Sequence, residues 1–112
     1  MKAQAETLKT DMVLAEIVRR LVDLYEPDRI YLFGSKGRGD EGPDSDYDLM
    51  VVVPDTASPE RRRSRLAYQV LRGTGAAADV LVNTRTYFDE RVGLTGSFPD
   101  LIVEEGVLLH GG

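Results

Sequence analysis

The run Leu49-Met50-Val51-Val52-Val53 constrains the fold more than any other stretch of the chain. Five consecutive apolar residues closed by Pro54 do not alternate as a half-solvated strand does. They predict a central strand, from Asp46 to Val53, covered on both faces. A covered sheet needs helices, and the chain offers them. Leu14, Ile17, Val18, Leu21 and Tyr25 recur at the spacing of one helix face, so a helix is expected from about Asp11 to Tyr25, capped by Thr10 or Asp11 and stopped by Pro27. Ser58 as N-cap and Pro59 at the first helical position predict a second helix to about Arg72, ended by Gly73-Thr74-Gly75. Thr84 caps a helix to about Arg91, and Pro99 to Glu105 reads as a short last helix. Further strands are expected at Arg29–Phe33, Ala77–Val82 and Val107–Leu109, the last at an edge. The order α-β-loop-β-α-β-α-α-β gives an α/β (α+β) class, a mixed central β-sheet flanked by helices.

With 112 residues, a single domain spanning 1–112 is expected. No length is left over for a second, substrate-binding domain. No apolar run approaches a membrane span, and the first residues lack a signal-peptide core, which predicts a cytoplasmic domain with no membrane partner. The absence of cysteine excludes disulfides and thiolate metal sites; a single histidine, His110, argues against histidine zinc sites and Ser-His-Asp triads. The net charge of −5 argues against direct DNA binding, which relies on a basic surface. The remaining chemistry must use carboxylates, hydroxyls, Lys or Arg.

Asp46 and Asp48 stand two apart at the start of the central strand, so both carboxylates share one face, with Cα atoms roughly 6–7 Å apart, and Tyr47 points to the other. Such a pair can hold two Mg²⁺ ions, a cation that favours a few carboxylates plus phosphate oxygens. Asp79, inside the apolar strand Ala77–Val82, is costly to bury unless paired or metal-bound, and completes a three-carboxylate cluster if its strand lies beside the second. By itself each feature has a plainer reading: Asp-x-Asp pairs are common in solvated turns, and Asp79 could be an exposed strand-end residue. Asp40, Glu41 and Asp44 read as solvated loop acids. Three other motifs fail. Gly37-Arg38-Gly39-Asp40-Glu41-Gly42 fits G-x-G-x-x-G, but Pro43 and a strand follow where a dinucleotide fold needs a helix. Asp44-Ser45-Asp46-Tyr47-Asp48 begins like an EF-hand, but Leu49 occupies the glycine position. No Gly-Lys-Ser/Thr of a P-loop is present.

The more specific pattern joins the glycine loop to the acids. Gly34-Ser35 is followed by ten residues and then by Asp46-x-Asp48, with a strand running into the first element and another out of the second. Four such residues at fixed spacing arise by chance in on the order of one chain in a thousand of this length. The block Leu32-Phe33-Gly34-Ser35-Lys36-Gly37-Arg38-Gly39-Asp40 through Ser45-Asp46-Tyr47-Asp48-Leu49-Met50-Val51 resembles the nucleotidyltransferase superfamily that includes DNA polymerase beta and kanamycin nucleotidyltransferase. Within it the block is most similar to the minimal nucleotidyltransferases, many of which are antitoxins encoded beside a HEPN-domain ribonuclease toxin. The resemblance is looser at Asp79, and Gly37 stands where many relatives have alanine.

The resemblance implies the nucleotidyltransferase fold, two Mg²⁺ ions, ATP as donor and a HEPN-domain toxin as partner, in a homo- or hetero-oligomer. It implies that Asp46, Asp48 and Asp79 are catalytic and metal-binding, with Asp79 as a candidate general base. Gly34, Ser35, Lys36 and Arg38 are the nucleotide-binding candidates: Gly34 lets the backbone approach a phosphate, Ser35 and the amides after it can donate to phosphate oxygens, and Lys36 and Arg38 can neutralise a triphosphate. Arg61-Arg62-Arg63-Ser64-Arg65 reads as a solvated helix face, or else as a patch for an acidic partner surface. Tyr25, Tyr31, Tyr68 and Tyr87 read as core or rim aromatics. The function implied is AMP transfer to a protein hydroxyl. Two alternatives remain: a non-catalytic antitoxin acting by occlusion, and transfer to a small molecule such as an aminoglycoside.

Overall fold

A computed structural model of the chain describes residues 11–34 and 47–111. The expected loop, with Ser35, Lys36, Arg38, Asp40, Glu41 and Asp44, lies outside the described residues, as do Asp46, at the expected start of the central strand, and Thr10. In chain order the elements are α1 (Met12–Tyr25), β1 (Arg29–Phe33), β2 (Tyr47–Val53), a 3₁₀ turn (Glu60–Arg62), α2 (Arg65–Val70), β3 (Ala78–Thr84), α3 (Arg85–Val92), α4 (Phe98–Glu105) and β4 (Val107–His110). Among the described residues, four strands form a mixed sheet in the order β3-β2-β1-β4. β1 is antiparallel to β2 and β4, and β2 is parallel to β3.

The apolar run of β2 is buried from Leu49 to Val53, and the strand is internal. Alternation divides its side chains between two cores. On one face Leu49, Val51 and Val53 pack with Ile30, Leu32 and the buried stripe of α1. On the other, Met50 and Val52 pack with Tyr31, Phe88 of α3 and Ile102 of α4. Dividing the apolar set between two helical layers explains why the run does not alternate with polar residues.

Caps place the helices. Asp11 takes the N-cap of α1, its Oδ1 accepting from the Leu14 amide at 3.0 Å. At the other end Glu26 adopts φ +47°, and Pro27 then prevents continuation. Thr84 caps α3, and Ser97 caps α4 with proline in its first turn.

The continuous helix expected from Ser58 to about Arg72 is not present. A single 3₁₀ turn is followed by extended backbone at Arg63 (φ −114°, ψ 142°), and α2 runs only from Arg65 to Val70. A tertiary contact accounts for the break. The buried Tyr25 hydroxyl donates to the Arg63 carbonyl at 2.5 Å and accepts from the Ala67 amide at 3.2 Å. With extended backbone and its carbonyl turned toward the core, Arg63 stands outside the helical ladder.

Candidate active site

The carboxylates gather at the N-terminal ends of β2 and β3. Asp48 is register partner to Phe33 on one side and to Asp79 on the other. Register partners in adjacent strands project to the same face, so Asp48 and Asp79 lie side by side, on the face covered further along by α3 and α4. Asp48 is half-buried and Asp79 exposed. Burial therefore does not force a partner on Asp79, contrary to the expectation from its apolar strand; its strand is an edge, and its side chain reaches water.

Gly34 completes the described part of the site. It follows the last residue of β1 with φ +70°, a conformation that glycine adopts at little cost. A Cβ built there would overlap the Asp48 Oδ2 and lie 3.1 Å from its Cγ. Two constraints, backbone angle and the space taken by a carboxylate, thus disfavour a side chain at this position. Sequence reasoning placed glycine here for approach to a phosphate; the structure adds its packing against the acid.

Tyr47 anchors the acid segment from the opposite face. Its ring is buried in the α1 layer, and its hydroxyl donates to Asp11 Oδ2 at 2.6 Å. Asp11 therefore caps α1 with one oxygen and holds the residue before Asp48 with the other. Burial, and then the Asp11 carboxylate beside it, push the Tyr47 phenol well above its usual range, so it stays a neutral donor. The Tyr47 amide donates to the Ala77 carbonyl at 3.0 Å, which fixes the start of β2 against the start of β3.

Two adjacent carboxylates at an open sheet end supply hard oxygen donors, which suit Mg²⁺. Among the described residues they form a pair; the expected third acid, Asp46, and the expected phosphate ligands Ser35, Lys36 and Arg38 lie outside them.

Sequence reasoning missed the cavity next to this pair. It measures about 470 Å³, within the range of small-molecule sites. Met50 and Leu81, each two residues beyond one of the acids on the same face, form its floor. Tyr87 and Phe98 wall it, and Arg62, Arg63 and Arg65 border it. Phe98 packs edge-on against Phe33, with ring centroids 5.2 Å apart, and also borders a smaller cavity of about 200 Å³ beside Gly34. The only sequence signal for this wall was the presence of aromatics at Tyr87 and Phe98. Periodicity could not distinguish a rim from a core position there, and both are about half exposed.

The family model described as a nucleotidyltransferase domain matches residues 14–109. Among solved structures the chain is similar to a Sulfolobus solfataricus protein provisionally assigned as a nucleotidyltransferase. That match has 24% identity and a TM-score of 0.57, covering 94% of this chain and 80% of the other. It is also similar to a toxin–antitoxin structure with AMP-PNP, at 23% identity and TM-score 0.53, covering 86% and 72% of the two chains. A mutant of the MntA–HpeT toxin–antitoxin matches at 21% identity and TM-score 0.50, covering 85% and 71%. At these identities the likeness is one of fold. No curated protein sequence matches the chain.

Proposed function

The chain belongs to the nucleotidyltransferase domain family, and from that premise we propose that it is a Mg²⁺-dependent adenylyltransferase that moves AMP from ATP to a tyrosine hydroxyl of a HEPN-type partner toxin, acting as its antitoxin. The observation that carries the reading is the pairing of Asp48 with Asp79 in register, with Gly34 packed against the first. It is supported by the Gly34-Ser35 and Asp46-x-Asp48 spacing, and by the fold shared with toxin–antitoxin structures.

The Gly34–Arg38 loop binds the triphosphate, with Ser35 donating to a phosphate oxygen and Lys36 and Arg38 offsetting its charge. Asp46, Asp48 and Asp79 would hold Mg²⁺, which would supply positive charge at the triphosphate and at the leaving pyrophosphate. Asp79, open to water on the edge strand, receives the proton of the attacking hydroxyl. The acceptor oxygen forms a bond to the α-phosphorus as the bond to pyrophosphate breaks, in line.

Asp46→Asn with Asp48→Asn tests this. The double variant keeps side-chain volume and removes two charges from the metal site, so transfer of radioactive AMP to the partner falls by several orders of magnitude. Its melting temperature and its binding of the partner are retained. In wild type, mass spectrometry finds one or more nucleotide adducts on the partner; the variant yields none. A specific observation favours the alternative of neutralisation by occlusion: Leu94, Phe98 and Leu101 are 58%, 45% and 45% exposed along α4 and the turn before it. If the double variant protects cells from the toxin as well as wild type does, occlusion is the mechanism.

A further inference from the structure

The arginine run divides into two pairs with different fates. Arg61 forms an ion pair with Glu26 at 2.8 Å, and Arg62 donates to the backbone carbonyls of Asp55 and Ala57. The side chains of Arg63 and Arg65 have neither ion pair nor hydrogen bond among the described residues; both border the 470 Å³ cavity, as does Arg62, whose guanidinium is taken up by those carbonyls. Their placement is not incidental to a loose loop. The Arg63 carbonyl is held by the buried Tyr25 hydroxyl, and the same hydroxyl accepts from the first turn of α2, two residues beyond Arg65. The backbone that carries two arginine side chains, unpaired among the described residues, is thus held beside a cavity in a protein whose net charge is −5.

The strand order says which reactant meets them. Gly34, where the triphosphate loop begins, follows β1, whereas the cavity lies over β2 and β3. Asp48 stands between the two sides. In-line transfer requires the attacking oxygen to approach from the side opposite the leaving pyrophosphate. The cavity lies on the side of Asp48 away from Gly34, the side left open to an acceptor. Its floor, Met50 and Leu81, lies two residues along from the acid pair, about 7 Å at the rise of a strand. An extended peptide covers that distance in two residues.

We infer that the cavity binds the peptide segment carrying the acceptor hydroxyl, and that Arg63 and Arg65, which border it, select a segment with a carboxylate side chain near that hydroxyl. Arginine pairs with carboxylate through two parallel hydrogen bonds, which gives geometric selection as well as charge. The apolar floor and the Tyr87 and Phe98 walls pack against the segment between these two groups. The inference rests on the proposed transfer to a protein hydroxyl and names the recognition that this transfer would use.

The test uses two fluorescein-labelled heptapeptides with tyrosine at the centre, one with glutamate and the other with lysine at both positions two residues away. Anisotropy is read with the wild-type chain and with the variants Arg63→Gln/Arg65→Gln and Arg63→Glu/Arg65→Glu. The wild type binds the glutamate peptide at least tenfold more tightly than the lysine peptide. The glutamine variant loses that preference, and the glutamate variant reverses it. Saturating Mg²⁺–ATP does not displace the peptide, and the variants bind Mg²⁺–ATP as wild type does. Absent binding, equal binding of both peptides, or a preference untouched by the variants overturns the inference. Displacement by Mg²⁺–ATP, or loss of nucleotide affinity in the variants, also overturns it by assigning the cavity to the nucleotide. Labelling of the same peptides from α-labelled ATP separates this inference from the reading beneath it. Charge-dependent binding without labelling leaves the recognition site standing and removes the transfer. Labelling regardless of charge does the reverse.

Discussion

At the scale of single residues, the site depends on two glycine-like constraints being met at once. Gly34 and Gly75 both have φ near +70°, but only at Gly34 would a Cβ meet a carboxylate; nothing lies within 4 Å of one at Gly75. Gly75→Ala carries the backbone cost alone, about 1–2 kcal/mol. Gly34→Ala adds the overlap with Asp48, so its melting temperature falls further and AMP transfer is lost, whereas Gly75→Ala keeps its transfer rate. Calorimetric melts and the labelling assay, run on both variants, check the difference. Ser35→Ala is milder: removing one hydrogen bond to a charged phosphate weakens Mg²⁺–ATP binding by about 1.5–3 kcal/mol, measured by titration calorimetry. Gly34 was legible as a special position because its spacing from Asp46 and Asp48 is specific. Its contact with Asp48 was not, because that contact depends on β1 and β2 pairing antiparallel with Phe33 opposite Asp48.

At the scale of elements, Asp11 couples α1 to β2. A lost N-cap alone costs about 1 kcal/mol. Asp11→Ala also strands the buried Tyr47 hydroxyl's bond to it, so the variant is destabilised by about 2–4 kcal/mol in urea unfolding. Tyr47→Phe removes the same bond from the other side. The double variant is therefore less destabilised than the sum of the two single variants, and an additive result would show that the two contacts are independent. The helix expected from Ser58 to Arg72 shows the limit of element-level reading. Cap and proline signals there are local and were placed correctly enough to start a turn. The interruption at Arg63 comes from Tyr25, 38 residues earlier in the chain, which no window on the arginines contains.

For the molecule as a whole, titrating groups bound the pH range of stability. Arg19 and Arg20 beside Glu16 hold its carboxyl at about 2, below its ordinary 4.5. A depressed carboxylate stabilises the folded state above 4.5, and the contribution is lost as pH falls toward 2. Glu16 is solvent-exposed, so its share is small, and Asp55, lowered by its bonds to Thr86, acts in the same direction. Tyr47 and Tyr25 act in the opposite direction. Both phenols are raised above 10, chiefly by burial, so their contribution is complete below that value and is lost as the unfolded chain ionises above it. The melting temperature is expected to be level from about pH 5 to 9 and to fall on both sides. Glu16→Gln softens the acid fall, and Tyr47→Phe softens the alkaline one; melts across the range check both.

By itself the sequence determined the elements and their faces everywhere but in the broken helix between Ser58 and Arg72. Five apolar residues in β2, the stripe of α1, and the polar residues at Asp11, Thr84 and Ser97 are local patterns whose physical meaning is complete within one or two turns. It also determined which residue types could carry the chemistry, since without cysteine and with one histidine only carboxylates, hydroxyls and cations remained. The tertiary structure alone decided which of these meet. The parallel pairing of β2 with β3 sets Asp48 beside Asp79, and a shift of one residue would send one of them to the opposite face. It alone separated Arg63 and Arg65 from Arg61 and Arg62, and made a cavity wall of Tyr87 and Phe98. Strand order and register are set by the sum of contacts over the whole chain, many of them between residues far apart in sequence, and no single stretch holds that sum.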